Sequence, residues 1–180
     1  MKNIVFILIL LITFHAFPQE NKKFKSGVKV TTIEKAENYQ TPASILFVFK
    51  GHTHLVSYFL DVEKHLKRRF KKEIRKGVKL DFIYDLYAKD PFESDLSLIP
   101  KRNFDKTQYE AIAFVSISDF NSWDKDLYKK RKQNYNLNIT IKDINSRELL
   151  SLVLNVSCYY TITNQNKKSS KYIYKHVTQK

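Results

Sequence analysis

The strongest constraint on this chain is a stripe of five apolar residues. Leu55, Phe59, Val62, Leu66 and Phe70 recur at spacings of three and four. At 3.6 residues per turn they share one side of an α-helix, which must be covered by something else. Thr53 stands where an N-cap belongs and Gly77 where a glycine stop belongs. The pattern predicts a helix over residues 54–76. Before it runs Ser44-Ile-Leu-Phe-Val-Phe49, a continuous apolar stretch of the kind buried on both faces of a sheet. After it, Val78, Leu80, Phe82, Tyr84 and Leu86 alternate along residues 78–87, the pattern of a strand. Strand, helix and strand make a βαβ unit, whose two strands are expected to be parallel.

Three further strands are predicted downstream and one upstream. Residues 28–33 alternate and are rich in β-branched side chains. Residues 109–118 carry Ile112, Phe114, Val115 and Ile117. Residues 134–142 and 149–163 flank the short polar link 143–148, whose Asn-Ser pair is a turn signal, so they read as an antiparallel hairpin. Residues 89–108 and 119–133 read as polar connections, the second around Trp123. Residues 164–180 read as a basic, polar tail. The expected fold class is α+β: a mixed sheet with one βαβ unit and a C-terminal antiparallel hairpin, and a long amphipathic helix packed on one face. One domain over 20–163 suits a chain of 180 residues.

The N-terminus reads as a secretory signal peptide over residues 1–19. Lys2 gives a positive start, residues 4–14 are apolar apart from Thr13, and Ala16, Pro18 and Gln19 form a cleavage region. That apolar run is shorter than the ~20 residues of a membrane span. The expectation is therefore an exported protein, periplasmic or secreted, without a transmembrane span in the mature chain. Cys158 is the only cysteine, which excludes an internal disulfide and a cysteine-rich zinc module. It lies in an apolar run, as a core residue would.

Lys and Arg number 32 against 18 Asp and Glu, a formal net charge of +14. A basic balance points to polyanionic partners, here envelope proteins or anionic lipid or glycan; export argues against nucleic acid. Asn, Ile, Phe and Tyr are also abundant, and A/T-rich coding would raise them together with Lys. The predicted helix concentrates the charge. Lys67, Arg68, Lys71, Lys72 and Arg75 lie away from the apolar stripe and are the candidate binding residues. Such a face counts as membrane-directed where apolar residues are exposed beside it, and otherwise as the solvated side every amphipathic helix has.

Chemistry is harder to find. His52 and His54 follow a strand end, where α/β sheets place ligands, but a zinc site needs three or four ligands. Asp61 and His65 are one helical turn apart; His54 and His65 would be separated by ~16 Å along the axis, too far for one metal. Asp81, Asp85 and Asp119 sit on or after strands and could serve as acid or base, with Asp119 the best placed. No nucleotide-binding glycine loop or serine-elbow motif is present in a chain with 3 glycines. No catalytic set, metal site or cofactor is assigned. The function expected is non-catalytic binding or assembly in the envelope, the alternative a small secreted hydrolase or metal-binding protein.

The segments Ile45-Leu-Phe-Val-Phe-Lys-Gly51, LKRRFKKEIRKGVKLDFIYDL, EAIAFVSISDF and ITIKDINSRELLSLVLNV carry a resemblance in layout over residues 45–160. The order of elements resembles the periplasmic N-terminal domain of the Tol-Pal propeller protein and the ABC-transport auxiliary lipoproteins. That resemblance implies a binding or assembly role in the envelope. The chain departs from it in having no lipidation cysteine and a strongly basic C-terminal segment.

Overall fold

A computed structural model describes residues 26–87, 105–119, 133–158 and 162–179. The expected leader and most of the two polar connections lie outside the described residues. The predicted stripe is the hinge of the architecture. Strand β1 (Gly27–Lys35) is followed by β2 (Ser44–His52), a single 3₁₀ turn (Thr53–Leu55), helix α1 (Val56–Arg75) and β3 (Lys79–Tyr87). Strands β4 (Ala111–Ser118), β5 (Gln133–Asp143) and β6 (Glu148–Cys158) follow, and helix α2 (Ile162–Val177) ends the series. The strands form one sheet in the order β1-β6-β5-β4-β2-β3. The fold is α+β with a mixed sheet: β2 is parallel to both its neighbours, and every other pair is antiparallel.

Strand β2 sits between β3 and β4, which explains its unbroken apolar run. Ile45, Leu46, Phe47, Val48 and Phe49 are all buried. On the helix side, Phe49 stacks on Phe59 at 4.9 Å, and Phe47 lies 5.4 Å from Phe82 and 6.3 Å from Phe70. Phe59, Val62, Leu66 and Phe70 have no exposed surface. Each such side chain contributes about 1.5–3 kcal/mol by leaving water.

Both ends of α1 are set locally. Gly51 lets β2 run into the helix: a Cβ there would stand 2.8 Å from Leu55 Cδ1. His52, not Thr53, caps the 3₁₀ turn that leads into α1, its Nδ1 accepting from the amide of His54 at 3.2 Å; α1 itself starts after Leu55, which makes no side-chain cap bond. Thr53 is instead buried beneath the turn. At the other end Gly77 has φ +98°. Its N–H donates to the Ile74 carbonyl at 3.1 Å, and that of Val78 to the Glu73 carbonyl at 3.0 Å. That pair of bonds is a Schellman close, which needs a left-handed residue at the glycine position.

The antiparallel hairpin forms, with Asp143 as its pin, but its second strand ends at Cys158, and residues 162 and 163, expected in that strand, begin α2. The Asp143 carboxylate accepts from Arg147 N at 2.8 Å and Arg147 Nε at 3.1 Å, and Ser146 takes φ 65°. Cys158, at the end of β6, is buried.

Residues 164–180 depart from the reading as a tail. Most of them belong to α2, which packs against α1, β6 and β1 on the same side of the sheet. Its inward positions are Gln165, Asn166, Ser169, Ser170, Ile173 and Val177. Contacts climb both helices together: Asn166 Nδ2 donates to Asp61 Oδ2 at 2.9 Å, Ser170 Oγ to the Val62 carbonyl at 3.4 Å, and Tyr174 OH to Glu73 Oε1 at 2.7 Å. The two helices therefore run in the same direction. Beyond α2, the Tyr39 hydroxyl donates to the Val177 carbonyl at 2.9 Å, tying the helix end to the β1–β2 connection.

Candidate functional site

The outward side of α1 is built by the same periodicity that buries its stripe. With Phe59, Leu66 and Phe70 on the sheet, Lys64, Arg68, Lys71 and Arg75 fall opposite and are exposed, and Lys72 is exposed toward α2. Lys67 stands apart from these. It pairs with Glu63 and lies 5.3 Å over the Phe82 ring, so it leans to the β3 side of the helix. Ile74 is on that same flank and is 43% exposed.

The acids of α1 are all turned inward. Glu63 is buried, accepting from the Tyr84 hydroxyl and pairing with Lys67. Glu73 is buried and takes the Tyr174 hydroxyl. Asp61 accepts from Asn166, and its Oδ1 lies 3.6 Å from His65 Nε2. Helix α2 has no acid at all; its Lys167, Lys168, Lys171 and Lys175 are exposed. The exposed acids among the described residues lie on strands and connections: Glu34, Glu37, Asp85, Asp105, Glu110, Asp119 and Glu148.

This arrangement carries an energetic cost. Lys64 with Arg68, Lys67 with Lys71, Arg68 with Lys72 and Lys71 with Arg75 are like charges one turn apart, each destabilising by roughly 0.2–0.5 kcal/mol. The macrodipole welcomes Lys72 and Arg75 in the last turn of α1 and Lys175 in that of α2. It gives no such welcome to Lys64, Lys167 or Lys168, nearer the middle of their helices. His65 registers the local field. Burial holds its imidazole below the ordinary value near 6.5, and Arg68, Lys64 and Lys167 push it further down while Asp61 opposes them.

The other sequence candidates are engaged elsewhere. The His52 and His54 rings stack at 4.4 Å, and Tyr87 meets His52 edge-on at 5.5 Å. Asp81 takes the Tyr109 hydroxyl at 2.8 Å, and Asp85 pairs with Lys50 at 3.6 Å. Four positions apart on one strand, those two acids are separated by ~13 Å, too far for a carboxylate dyad. Asp119, at φ 54°, accepts from Asn136 Nδ2 at 2.6 Å and Ser118 Oγ at 3.3 Å. Asn136 in turn accepts from Asn155 at 2.9 Å, and Asn138 donates to Ser118 at 3.0 Å. Asp119 thus ends a ladder of amides and hydroxyls on the side of the sheet away from the helices. Burial pushes the Cys158 thiol up, and it donates to Gln133 Oε1 at 3.3 Å. Among the described residues no group of three His, Cys, Asp or Glu is placed to hold a metal. None of the described helices is long and apolar enough to cross a membrane. An open hollow of about 450 Å³ lies beside the end of α2, between Lys35, Glu37, Tyr39, Lys175 and His176; its charges are mixed.

No protein-family model matches the sequence, and no curated protein matches it. Among solved structures, the chain is similar to the PelC dodecamer from Paraburkholderia phytofirmans, with a TM-score of 0.44 and 8% identity over 78% of this chain and 93% of that one. A single-substitution variant of the same PelC dodecamer gives a TM-score of 0.44 at 7% identity, over 78% and 92% of the two chains. The hypothetical protein CT253 from Chlamydia trachomatis gives 0.37 at 11% identity, over 76% and 98%.

Proposed function

We propose that this is an exported envelope protein with a non-catalytic binding or assembly role, and that the outward face of α1 is its working surface. The partner is a polyanion. The observation that carries this reading is the sorting of charge on the helix: Lys64, Arg68, Lys71, Lys72 and Arg75 are exposed, while Asp61, Glu63 and Glu73 are turned inward onto named partners. An A/T-rich coding bias would raise lysine throughout the chain. It does not account for acids being kept off the face where the lysines stand. The sequence features of residues 1–19 support export. The hydrolase alternative draws on His52, His54 and Asp119, and each of these has a contact that shapes a cap, a stack or the polar ladder.

The test is binding to heparin, a soluble polyanion, across a salt series. Affinity should fall steeply as ionic strength rises. The triple variant Arg68→Glu, Lys71→Glu, Arg75→Glu should bind at least tenfold more weakly while keeping the parent's circular dichroism. Equal binding by a folded triple variant removes the face.

A further inference from the structure

We propose that α1 and α2 together form one docking face for a lipid bilayer rich in anionic headgroups. The inference rests on the polyanion reading above and names the partner. The second helix is what extends the argument. With Asn166, Ser170 and Ile173 turned inward, Lys168, Lys171 and Lys175 stand on the same outer side of the molecule as Arg68, Lys71 and Arg75. Lys167 comes from α2 to the neighbourhood of His65, where Lys64 and Arg68 arrive from α1. The seam between the helices thus carries cations from both, around the Asp61 carboxylate that Asn166 reaches across it.

The shape selects the partner. A linear polyanion needs no more than a single track of charge. Here two helices lie side by side in the same direction, with axes about 8–10 Å apart as packed helices have. Their cations spread in two dimensions, along ~16 Å of α1 from Lys64 to Arg75 and across to α2. A plane of positive charge complements a plane of negative headgroups. The contact is made at headgroup level. Phe59, Val62, Leu66 and Phe70 of α1 and Ile173 and Val177 of α2 have no exposed surface to insert. Ile74, the one large apolar side chain exposed on either helix among the described residues, lies on the flank of α1 and is the exposed apolar residue beside the cations that a membrane-directed face calls for. Each cation brought close to an anionic surface strengthens partitioning roughly fivefold, an effect confined to about one Debye length.

The full chain is mixed with vesicles of phosphatidylcholine alone and of phosphatidylcholine with phosphatidylglycerol, and sedimented. The apolar segment 4–14 would adhere to both kinds, so the quantity read is the ratio between them. At low salt that ratio should exceed about a hundredfold, and it should collapse in about 0.5 M salt. The α1 triple variant named above should lower it at least tenfold. So should Lys168→Glu, Lys171→Glu, Lys175→Glu, with Gln versions of both sets standing in for any Glu variant that does not fold. Binding to heparin with a vesicle ratio near one overturns the bilayer inference and leaves the polyanion reading in place. Failure to bind either removes both. A vesicle ratio that falls in the α1 variant and is unchanged in the α2 variant overturns the two-helix face.

Discussion

The two helices lie on the same face of the same sheet, yet they are held there by different means. The inner side of α1 is a run of Phe59, Val62, Leu66 and Phe70, all without exposed surface. The inner side of α2 is Gln165, Asn166, Ser169 and Ser170, with Ile173 and Val177 toward its end. One helix is attached by transfer of apolar surface from water, which is strong and nearly indifferent to direction. The other is attached by particular bonds to Asp61, the Val62 carbonyl and Glu73. Such bonds each yield only about 1 kcal/mol net but cost more when one partner is removed. Several of its buried polar atoms, Gln165 Oε1, Asn166 Oδ1 and Ser169 Oγ, have no hydrogen-bond partner among the described residues. Helix α2 is the more conditional attachment, and the seam it makes with α1 is polar.

The largest effect should come from the apolar attachment. Phe70→Ala removes a ring that meets Phe47 and, at 5.1 Å, Tyr174, and should cost about 3–5 kcal/mol in urea unfolding. A loss under about 1 kcal/mol would show that α1 is not the keystone of the core. Asn166→Ala takes the amide donor from Asp61, a carboxylate with limited access to water, and should cost about 1–3 kcal/mol. Helix α2 should loosen before the sheet does, read as faster amide exchange in α2 than in β5 and β6.

The seam should also make stability depend on pH. His65 has a folded pKa below its unfolded value near 6.5. The unfolded state therefore binds the proton more readily, so His65's contribution is fully present above the unfolded value and is lost as pH falls below about 6.5. The groups facing it are Asp61, Lys64 and Arg68 on α1 and Lys167 on α2. His65→Gln should flatten the decline in unfolding free energy between about pH 7.5 and pH 5 relative to the parent. A parallel decline in both proteins places the acid sensitivity elsewhere. The smallest effect is expected at Ser169, whose buried hydroxyl has no partner among the described residues. Ser169→Ala should leave stability unchanged or raise it by a few tenths of a kcal/mol, because no bond is lost and an uncompensated polar group is removed. A clear loss would reveal a contact through water at that position.

The same contrast explains what the sequence discloses. The stripe of α1, the run of β2 and the alternation of β5 and β6 are visible because burial there is apolar, and periodicity is read from apolar residues. Helix α2 is hidden because its buried positions are amides and hydroxyls, while its lysines suggest a solvated tail. The signal present is Ile173 and Val177 one turn apart, with small polar residues at 166, 169 and 170 continuing the spacing. The pairing of β1 with β6 is a contact between distant segments and has no local signature. The helix starts at Val56 rather than at residue 54 because a 3₁₀ turn intervenes, capped by the His52 imidazole rather than by Thr53. For the binding face, the cations of α1 are visible in the sequence, and those of α2 are present but unplaced. The inward turn of Asp61, Glu63 and Glu73 becomes meaningful only with Tyr84, Asn166 and Tyr174 opposite them.

The position of β1 has a consequence for how the molecule comes into being. The first strand pairs with β6, Gly27 opposite Ser157 and Lys35 opposite Leu150. On a ribosome adding roughly 5–20 residues each second, the partner of β1 is made many seconds after β1 itself. Throughout that interval Val28 and Val30 have no β6 to pair with, and the sheet cannot close its β1 side. Contacts this distant in sequence make folding slow. The β1–β6 pairing is therefore among the last contacts a growing chain can make, whatever the β2–α1–β3 unit has already formed.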